Sequence, residues 1–134
     1  MCSLAASLEY GVPADIMLGL AELEGGKPGL VKKNKNGTHD LGQMQFNSAY
    51  LADLEKAYGI RKEDVMGAGC YPFRLAAWRV RGHLRQEKGD IWRRAACYHS
   101  KTPEYNTIYR AKLISAARKW AGWIRTHFDH FQID

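Results

Sequence analysis

A mainly α-helical fold of the α+β type is what this sequence predicts, as a single compact domain of about six to seven helices. Apolar side chains recur at helical spacing over most of the chain, as they do along the buried face of a helix. The segment between about residues 25 and 41 instead carries the glycine, proline and asparagine pairs that are typical of loops and hairpins. We therefore expect a small irregular β excursion around residues 30–42, surrounded by helices.

The size and composition of the chain favour one domain spanning residues 1–134. A length of 134 residues with 46% apolar side chains is enough for one core and too short for two. No segment reaches the roughly 18 consecutive apolar residues of a membrane helix, so no membrane span is expected. The start at Met1 lacks the regions of a signal peptide, which indicates a soluble chain; the mature form of an exported protein stays open as the alternative.

Two helices are expected at the start of the chain. Ser3 can cap the first helix, and Gly11 can end it. The second helix is expected to carry Pro13 and Asp15 in its first turn and to run to Glu24, where two glycines follow.

A hairpin and a third helix are expected next. The pair Asn36-Gly37 is a strong hairpin signal, in a segment too short to form a sheet alone. Asn47 or Ser48 can then cap a helix that runs to about Tyr58.

The remaining chain predicts further helices. One runs from about Tyr71 and closes before Gly89, and Asp90 begins the next helical stretch. The last helix starts at Thr102-Pro103. Its predicted core stripe consists of Tyr109, Leu113, Ala116 or Ala117, Trp120, Ile124 and Phe128.

The charge of the chain points to an anionic partner. A formal charge of +6 and a pI near 9.3 suit nucleic acid, a membrane surface or an acidic cell-wall polymer. The basic residues are scattered rather than gathered in one stripe interleaved with aromatics, so nucleic-acid binding is not expected. Arg79, Arg81 and Arg85 share one helix and are expected to form a solvated face.

The three cysteines, Cys2, Cys70 and Cys97, lack the close spacing of a structural zinc site, and no metal site is expected. A disulfide between Cys2 and Cys70 is the favoured reading, because it would tie down a chain terminus and leave Cys97 as a small buried side chain. Three reduced cysteines are the alternative.

Glu24 is the candidate catalytic residue. It shares a helix face with Met17 and Leu20, whereas Glu22 lies on a face that water can reach. Desolvation on the apolar face and the negative end of the helix dipole both favour the protonated carboxyl. A glutamic acid that keeps its proton near neutral pH can act as a general acid.

Two further motifs carry polar side chains. The segment from Thr38 to Asn47 mixes polar and apolar groups as the wall of a sugar-binding site does, and the Gln45 amide can both donate and accept hydrogen bonds. Tyr98-His99-Ser100 follows a helical stretch later in the chain. His39 and His99 lack a third partner for a metal or a catalytic triad.

The order of Glu24-Gly25-Gly26, then Asp40 to Asn47, then Cys97 to Ser100 resembles the lysozyme-like soluble lytic transglycosylases. More narrowly, it resembles the small members that accompany secretion systems, conjugation and type IV pili in Gram-negative bacteria. The resemblance covers nearly the whole chain. It implies a lysozyme-like domain, with a groove between lobes that holds alternating N-acetylglucosamine and N-acetylmuramic acid.

The resemblance also implies a reaction. Glu24 matches the single catalytic acid, which protonates the glycosidic oxygen and then takes the proton of the muramic acid C6 hydroxyl as a 1,6-anhydro ring closes. The N-acetyl group of the substrate can assist, so that no protein nucleophile is required. No cofactor is implied.

Several positions match the binding residues of that family. Gln45 is expected to touch the sugar or position the acid, and Tyr98 to hydrogen-bond the glutamate. Gly42 and Met44 match as wall residues. Gly25, Gln43 and His99 depart from the residues usual in the family, and these departures bear on the subsite contacts. The expected substrate-binding set is Gln45, Tyr98, Gly42, Met44, Gln43, His99 and Ser100.

Alternatives remain open at this point. If Asp40 faces Glu24 across the groove as a second carboxylate, a lysozyme-type hydrolase becomes the competing enzyme; otherwise Asp40 is a turn or capping residue. A glycan-binding adaptor without catalysis is the alternative of another class. For Arg79, Arg81 and Arg85, contact with acidic stem peptides of the wall is the minor alternative. The expected setting is the periplasm, as a monomer on peptidoglycan strands beside a secretion, conjugation or pilus apparatus.

Overall fold

The computed structural model describes residues 1–128. Within this part of the chain, seven helices and three short strands confirm the predicted mainly α fold of α+β type. The elements in chain order are α1 Cys2–Tyr10, α2 Ala14–Glu24, β1 Val31–Lys33, β2 His39–Leu41, β3 Phe46–Asn47, α3 Ser48–Tyr58, α4 Lys62–Met66, α5 Tyr71–Gln86, α6 Ile91–Ala96 and α7 Pro103–His127.

The core forms where α2 packs along α7. Ile16, Met17 and Leu20 of α2 are fully buried, as is Leu113 of α7. Gly19 lets the two helices approach closely, because a Cβ there would lie 3.1 Å from Leu113 Cδ1. The predicted stripe of α7 is buried at most of its positions, although Trp120 and Phe128 are only half-buried and Phe128 lies just past the end of the helix.

The three strands form one antiparallel sheet in the order β1-β2-β3. Asp40 pairs with Lys32 of β1 and with Asn47 of β3. The predicted hairpin at Asn36-Gly37 is present, and Gly37 has the positive φ of 88° that the turn requires. The sequence did not predict β3, which has only two residues, or the five-residue helix α4.

Local signals at the helix ends are mostly confirmed. The side chains of Asn47 and Asp90 accept backbone hydrogen bonds at the starts of α3 and α6. Gly11 ends α1 in the left-handed conformation, as predicted. The prediction that Ser3 caps α1 was wrong: the cap position is Met1, two residues earlier, where Ala5 N–H donates to Met1 O, and Ser3 is buried within the helix.

A disulfide joins Cys2 to Cys70, as predicted, and ties the start of α1 to the start of α5. The Cα atoms of the two residues are 5.2 Å apart. Cys97 is a free, buried thiol. None of the helices in residues 1–128 is both long and apolar enough to cross a membrane.

Candidate active site

Glu24 is the last residue of α2, and its side chain is 9% exposed. The helix stops there because Gly25 adopts the left-handed conformation and its N–H donates to Ala21 O. Glu22, two residues earlier, is exposed and pairs with Lys119. The two carboxylates of the same helix end therefore lie in different environments, with Glu24 largely shielded from water.

Tyr109 is the hydrogen-bond partner of Glu24. Its hydroxyl donates to Glu24 Oε2 over 2.6 Å, from a ring that is only 6% exposed. Burial raises the pKa of the Tyr109 hydroxyl well above its ordinary value, and the negative charge of Glu24 raises it further. The hydroxyl therefore keeps its proton and acts as the donor in this hydrogen bond.

His99 completes the wall beside Glu24. Its ring stacks on the Tyr109 ring with centroids 4.3 Å apart, and its Nδ1 lies 3.7 Å from Glu24 Oε2. The sequence placed Tyr109 only in the core stripe. The available signal was the residue type, because a tyrosine at a core position usually needs a partner for its hydroxyl.

The prediction that Tyr98 bonds the glutamate was wrong. The Tyr98 hydroxyl donates to Met44 O over 2.9 Å, and the side chain is almost fully buried. Burial raises the pKa of this hydroxyl well above its ordinary value, so it stays protonated as well. Tyr98 thereby anchors the segment between β2 and β3 to the helical part of the fold.

An open groove of about 530 Å³ runs past Glu24, and we call it the Glu24 groove. It brings together residues from the sheet, from α5 and from the start of α7. Six of the predicted site residues line it: Glu24, Asp40, Gln45, Tyr98, His99 and Ser100. Arg79, which was expected on a solvated face, also lines it, as does Tyr105, which the sequence analysis did not single out. Tyr105 is an exposed tyrosine, and nothing in its sequence context distinguished it.

Three predicted substrate-binding residues do not line this groove. Met44 is fully buried in the core. Gly42 is a packing glycine with φ 74°, since a Cβ there would overlap Val65 O. Gln43 turns away and its amide donates to Gly67 O and Gly69 O. The segment alternates between groove and core, so neighbouring residues cannot all face the substrate.

The sheet side of the Glu24 groove is held by a polar network. Asn47 Nδ2 donates to Asp40 Oδ1 over 3.2 Å and to Thr38 Oγ1 over 3.0 Å. Gln45 has a positive φ of 52°, uncommon for a residue with a side chain, and its amide donates to Gly42 O over 2.9 Å. These bonds fix the orientation of the polar wall before any ligand binds.

Arg79 was expected on a solvated face, and that prediction was wrong. Its guanidinium lies between the rings of Tyr50 and Tyr98, at 4.2 and 4.5 Å from their centroids. The missed signal was spacing, because Arg79 follows the buried residues Leu75 and Ala76 by four and three positions on α5. Arg81 is also half-buried, against the Tyr10 ring, whereas Arg85 is exposed.

Among residues 1–128, no group of three or more His, Cys, Asp or Glu side chains is arranged to hold a metal ion. The chemistry available in the Glu24 groove is that of a shielded carboxyl group with a tyrosine donor, faced by carboxylate, amide and hydroxyl groups.

Comparison with known proteins gives distant relatives along most of the chain. Two of these relatives are proteins named Invasion protein IagB from two strains of Salmonella typhimurium, and each is 27% identical to this chain over 126 residues. The aligned region covers 90% of this chain and 78% of each relative. The protein of the same name from Salmonella typhi is 27% identical over 123 residues, with 88% and 76% covered. No family model matches the chain.

Proposed function

We propose that this protein is a lytic transglycosylase that cleaves the β-1,4 bond between N-acetylmuramic acid and N-acetylglucosamine in peptidoglycan. The observation that carries the proposal is the setting of Glu24: a shielded carboxyl group, hydrogen-bonded by Tyr109, in an open polar groove. A general acid needs this combination of low exposure and access to a substrate. The order of the sequence motifs supplies the substrate class.

In the proposed reaction, Glu24 acts twice. It gives its proton to the glycosidic oxygen as the bond from C1 of the muramic acid to that oxygen breaks. The N-acetyl group of the sugar assists at C1. The resulting carboxylate then takes the proton of the C6 hydroxyl while the C1–O6 bond forms, which restores the acid and consumes no water. The Tyr109 hydroxyl stabilises the intervening carboxylate through Oε2.

A lysozyme-type hydrolase is the second candidate, because Asp40 lines the same groove as Glu24. In that reaction, Asp40 would stabilise or attack the anomeric carbon and water would complete the cleavage. The Asp40 side chain also accepts a hydrogen bond from Asn47 through Oδ1, an environment that both reactions allow. The Asp40→Asn variant tests the alternatives by its ability to clear a suspension of cell walls. It should lose little of this activity if the protein is a transglycosylase and most of it if the protein is a hydrolase.

The proposed cellular role is local opening of the wall for a secretion, conjugation or pilus apparatus in the periplasm. Support comes from the similarity to invasion proteins over most of the chain and from the Cys2–Cys70 disulfide, which suits an oxidising compartment. The rival without catalysis is a glycan-binding adaptor of such an apparatus. For that rival, the purified protein would leave a suspension of cell walls turbid.

Mass spectrometry of the muropeptides released from purified sacculi tests the proposal. We expect anhydro-muropeptides, each one water lighter than the hydrolytic product. Reducing ends would instead identify a hydrolase, and the absence of released products would favour the adaptor.

A further inference from the structure

A second groove lies beside the Glu24 groove, along the exposed side of α5. It has a volume of about 460 Å³ and is lined by four cationic residues, Arg79, Arg81, Arg85 and Lys101. Aromatic side chains also line it, including Trp78. We call it the basic groove. A concave site of this composition suits an anionic ligand with apolar parts.

The positive charge of the basic groove is only partly neutralised by the protein. Glu87 is the one carboxylate among its described lining residues, and it pairs with Lys101 at 2.9 Å. His83 also faces Glu87, at 3.4 Å; burial lowers the pKa of His83, and the nearby Arg79 charge lowers it further, which favours the neutral ring. The three arginines therefore carry the uncompensated charge.

The hydrogen-bond donors of these arginines are unused. Within residues 1–128, the guanidinium groups of Arg79 and Arg81 contact tyrosine rings, and none of the three guanidinium groups donates a hydrogen bond to another residue. The Nε atom of Arg79 is buried without a partner. A guanidinium group presents donors in a fork that matches both oxygens of a carboxylate. Because aromatic rings already hold Arg79 and Arg81 in place, a ligand carboxylate would meet partly preorganised donors.

The basic groove and the Glu24 groove are adjoining. Arg79 lines both, and Ser100 of the Glu24 groove precedes Lys101 of the basic groove in the chain. A glycan in the Glu24 groove would carry short peptides on its muramic acid residues, and those peptides contain free carboxylates. An extended peptide advances about 3.3 Å per residue, so a few residues suffice to pass from one groove into the next.

We propose that the basic groove binds the carboxylates of the peptide stems on the strand whose sugars occupy the Glu24 groove. This inference rests on the proposed function. It makes the protein selective for glycan that still carries stem peptides, with Arg81 and Arg85 as specificity residues. Arg79 belongs to both grooves and is therefore left unchanged in the test.

The test is calorimetric titration at low salt in a Glu24→Gln background, which is chosen to prevent turnover. Two soluble ligands are compared: uncrosslinked glycan strands with their peptide stems, and the same strands after an amidase has removed the stems. We expect the background protein to bind the stem-bearing strands on the order of fivefold more tightly, and Arg81→Gln/Arg85→Gln to abolish that difference. The control Lys112→Gln/Arg118→Gln removes two exposed charges of α7 outside both grooves. This variant should keep the preference for stem-bearing strands.

Several results would overturn the inference. One is equal affinity of the Glu24→Gln protein for both kinds of strand, and another is a preference for stem-bearing strands that survives in the arginine variant. The third is an equal loss of affinity for both kinds of strand in that variant, which is what a general polyanion site would give. If the double variant fails to fold, Arg85→Glu alone, at an exposed position, must reduce the preference. The proposed function is judged separately, by the products of the wild-type protein, so either conclusion can fail without the other.

Discussion

Glu24 owes its environment to its own helix and to two residues from distant parts of the chain. The apolar face of α2 removes water from one side, Tyr109 of α7 donates to Oε2, and His99 stacks on Tyr109 beside it. A carboxyl group in such a setting can give up its proton and is then stabilised as a carboxylate by the tyrosine. Both halves of the proposed reaction depend on this pair of properties.

Glu24→Gln should abolish clearing of cell-wall suspensions, with a loss of about a hundredfold to ten-thousandfold, because the amide cannot transfer the proton. The melting temperature should stay the same or rise, since an uncharged isostere relieves the cost of shielding a charge. Turbidity and thermal unfolding measure the two effects.

Glu22→Gln is the matched control, because Glu22 ends the same helix but is exposed and paired with Lys119. It should clear cell walls as the wild type does. Comparable losses in both variants would contradict the assignment of Glu24.

Tyr109→Phe should lower clearing by about tenfold to a hundredfold while the protein stays folded, because it removes a hydrogen bond to a group that becomes charged during the reaction. Tyr98→Phe is the comparison, since its hydroxyl bonds the Met44 carbonyl instead of Glu24. That variant should cost about 1–3 kcal/mol of unfolding free energy by leaving a buried carbonyl unpaired. Clearing assays measure the catalytic role of Tyr109, and urea unfolding measures the stabilising role of Tyr98. Similar losses of activity and of stability in both variants would contradict these roles.

At the scale of elements, the end of α2 and the turn between β2 and β3 meet at glycines. A Cβ on Gly26 would overlap the backbone oxygens of Gly42 and Gln43. This close approach places the residues just after Glu24 against the segment that carries Gln45. The two motifs share a groove because Gly26 has no side chain at the contact.

Gly26→Ala should destabilise the protein by about 1–3 kcal/mol and lower clearing, because the turn must move away from the end of α2. Gly122→Ala in α7 is the control of opposite sign: it has open space for a Cβ and should stabilise the helix by about 0.5–1 kcal/mol. Denaturant midpoints measure both. Normal stability and activity of Gly26→Ala would show that the turn is free to shift.

At the scale of the whole molecule, the disulfide closes a covalent loop over about half of the chain. Cys2 and Cys70 are 68 residues apart, and the loop contains helices α1 to α4 and the sheet. Cross-linking limits the freedom of the unfolded chain across that span.

Cys2→Ser/Cys70→Ser should lower the free energy of unfolding by about 4 kcal/mol on the loop-entropy estimate. A reducing agent should destabilise the wild type toward the same value and leave the double variant unchanged. Cys97→Ala keeps the disulfide and should remain sensitive to the reducing agent. A wild type indifferent to reduction would contradict the stabilising role.

The sequence by itself determined the elements and the position of Glu24, because these depend on local chemistry. Asn47 and Asp90 cap helices through atoms only a few residues away, and Gly11 ends α1 through its own backbone conformation. Glu24 was found because helical spacing places it on the apolar face of α2. The two shortest elements, β3 with two residues and α4 with five, were missed because so few residues do not show a recognisable hydrophobic periodicity.

Only the tertiary structure decided which side chains meet. Tyr109 lies 85 residues after Glu24, and the packing of α7 on α2 selects it over Tyr98 as the partner. Other contacts between separate parts of the chain direct Gln43 toward Gly67 and place Arg79 between the rings of Tyr50 and Tyr98. Contacts across such separations depend on how helices are positioned in three dimensions, and residue spacing along one helix carries no information about that.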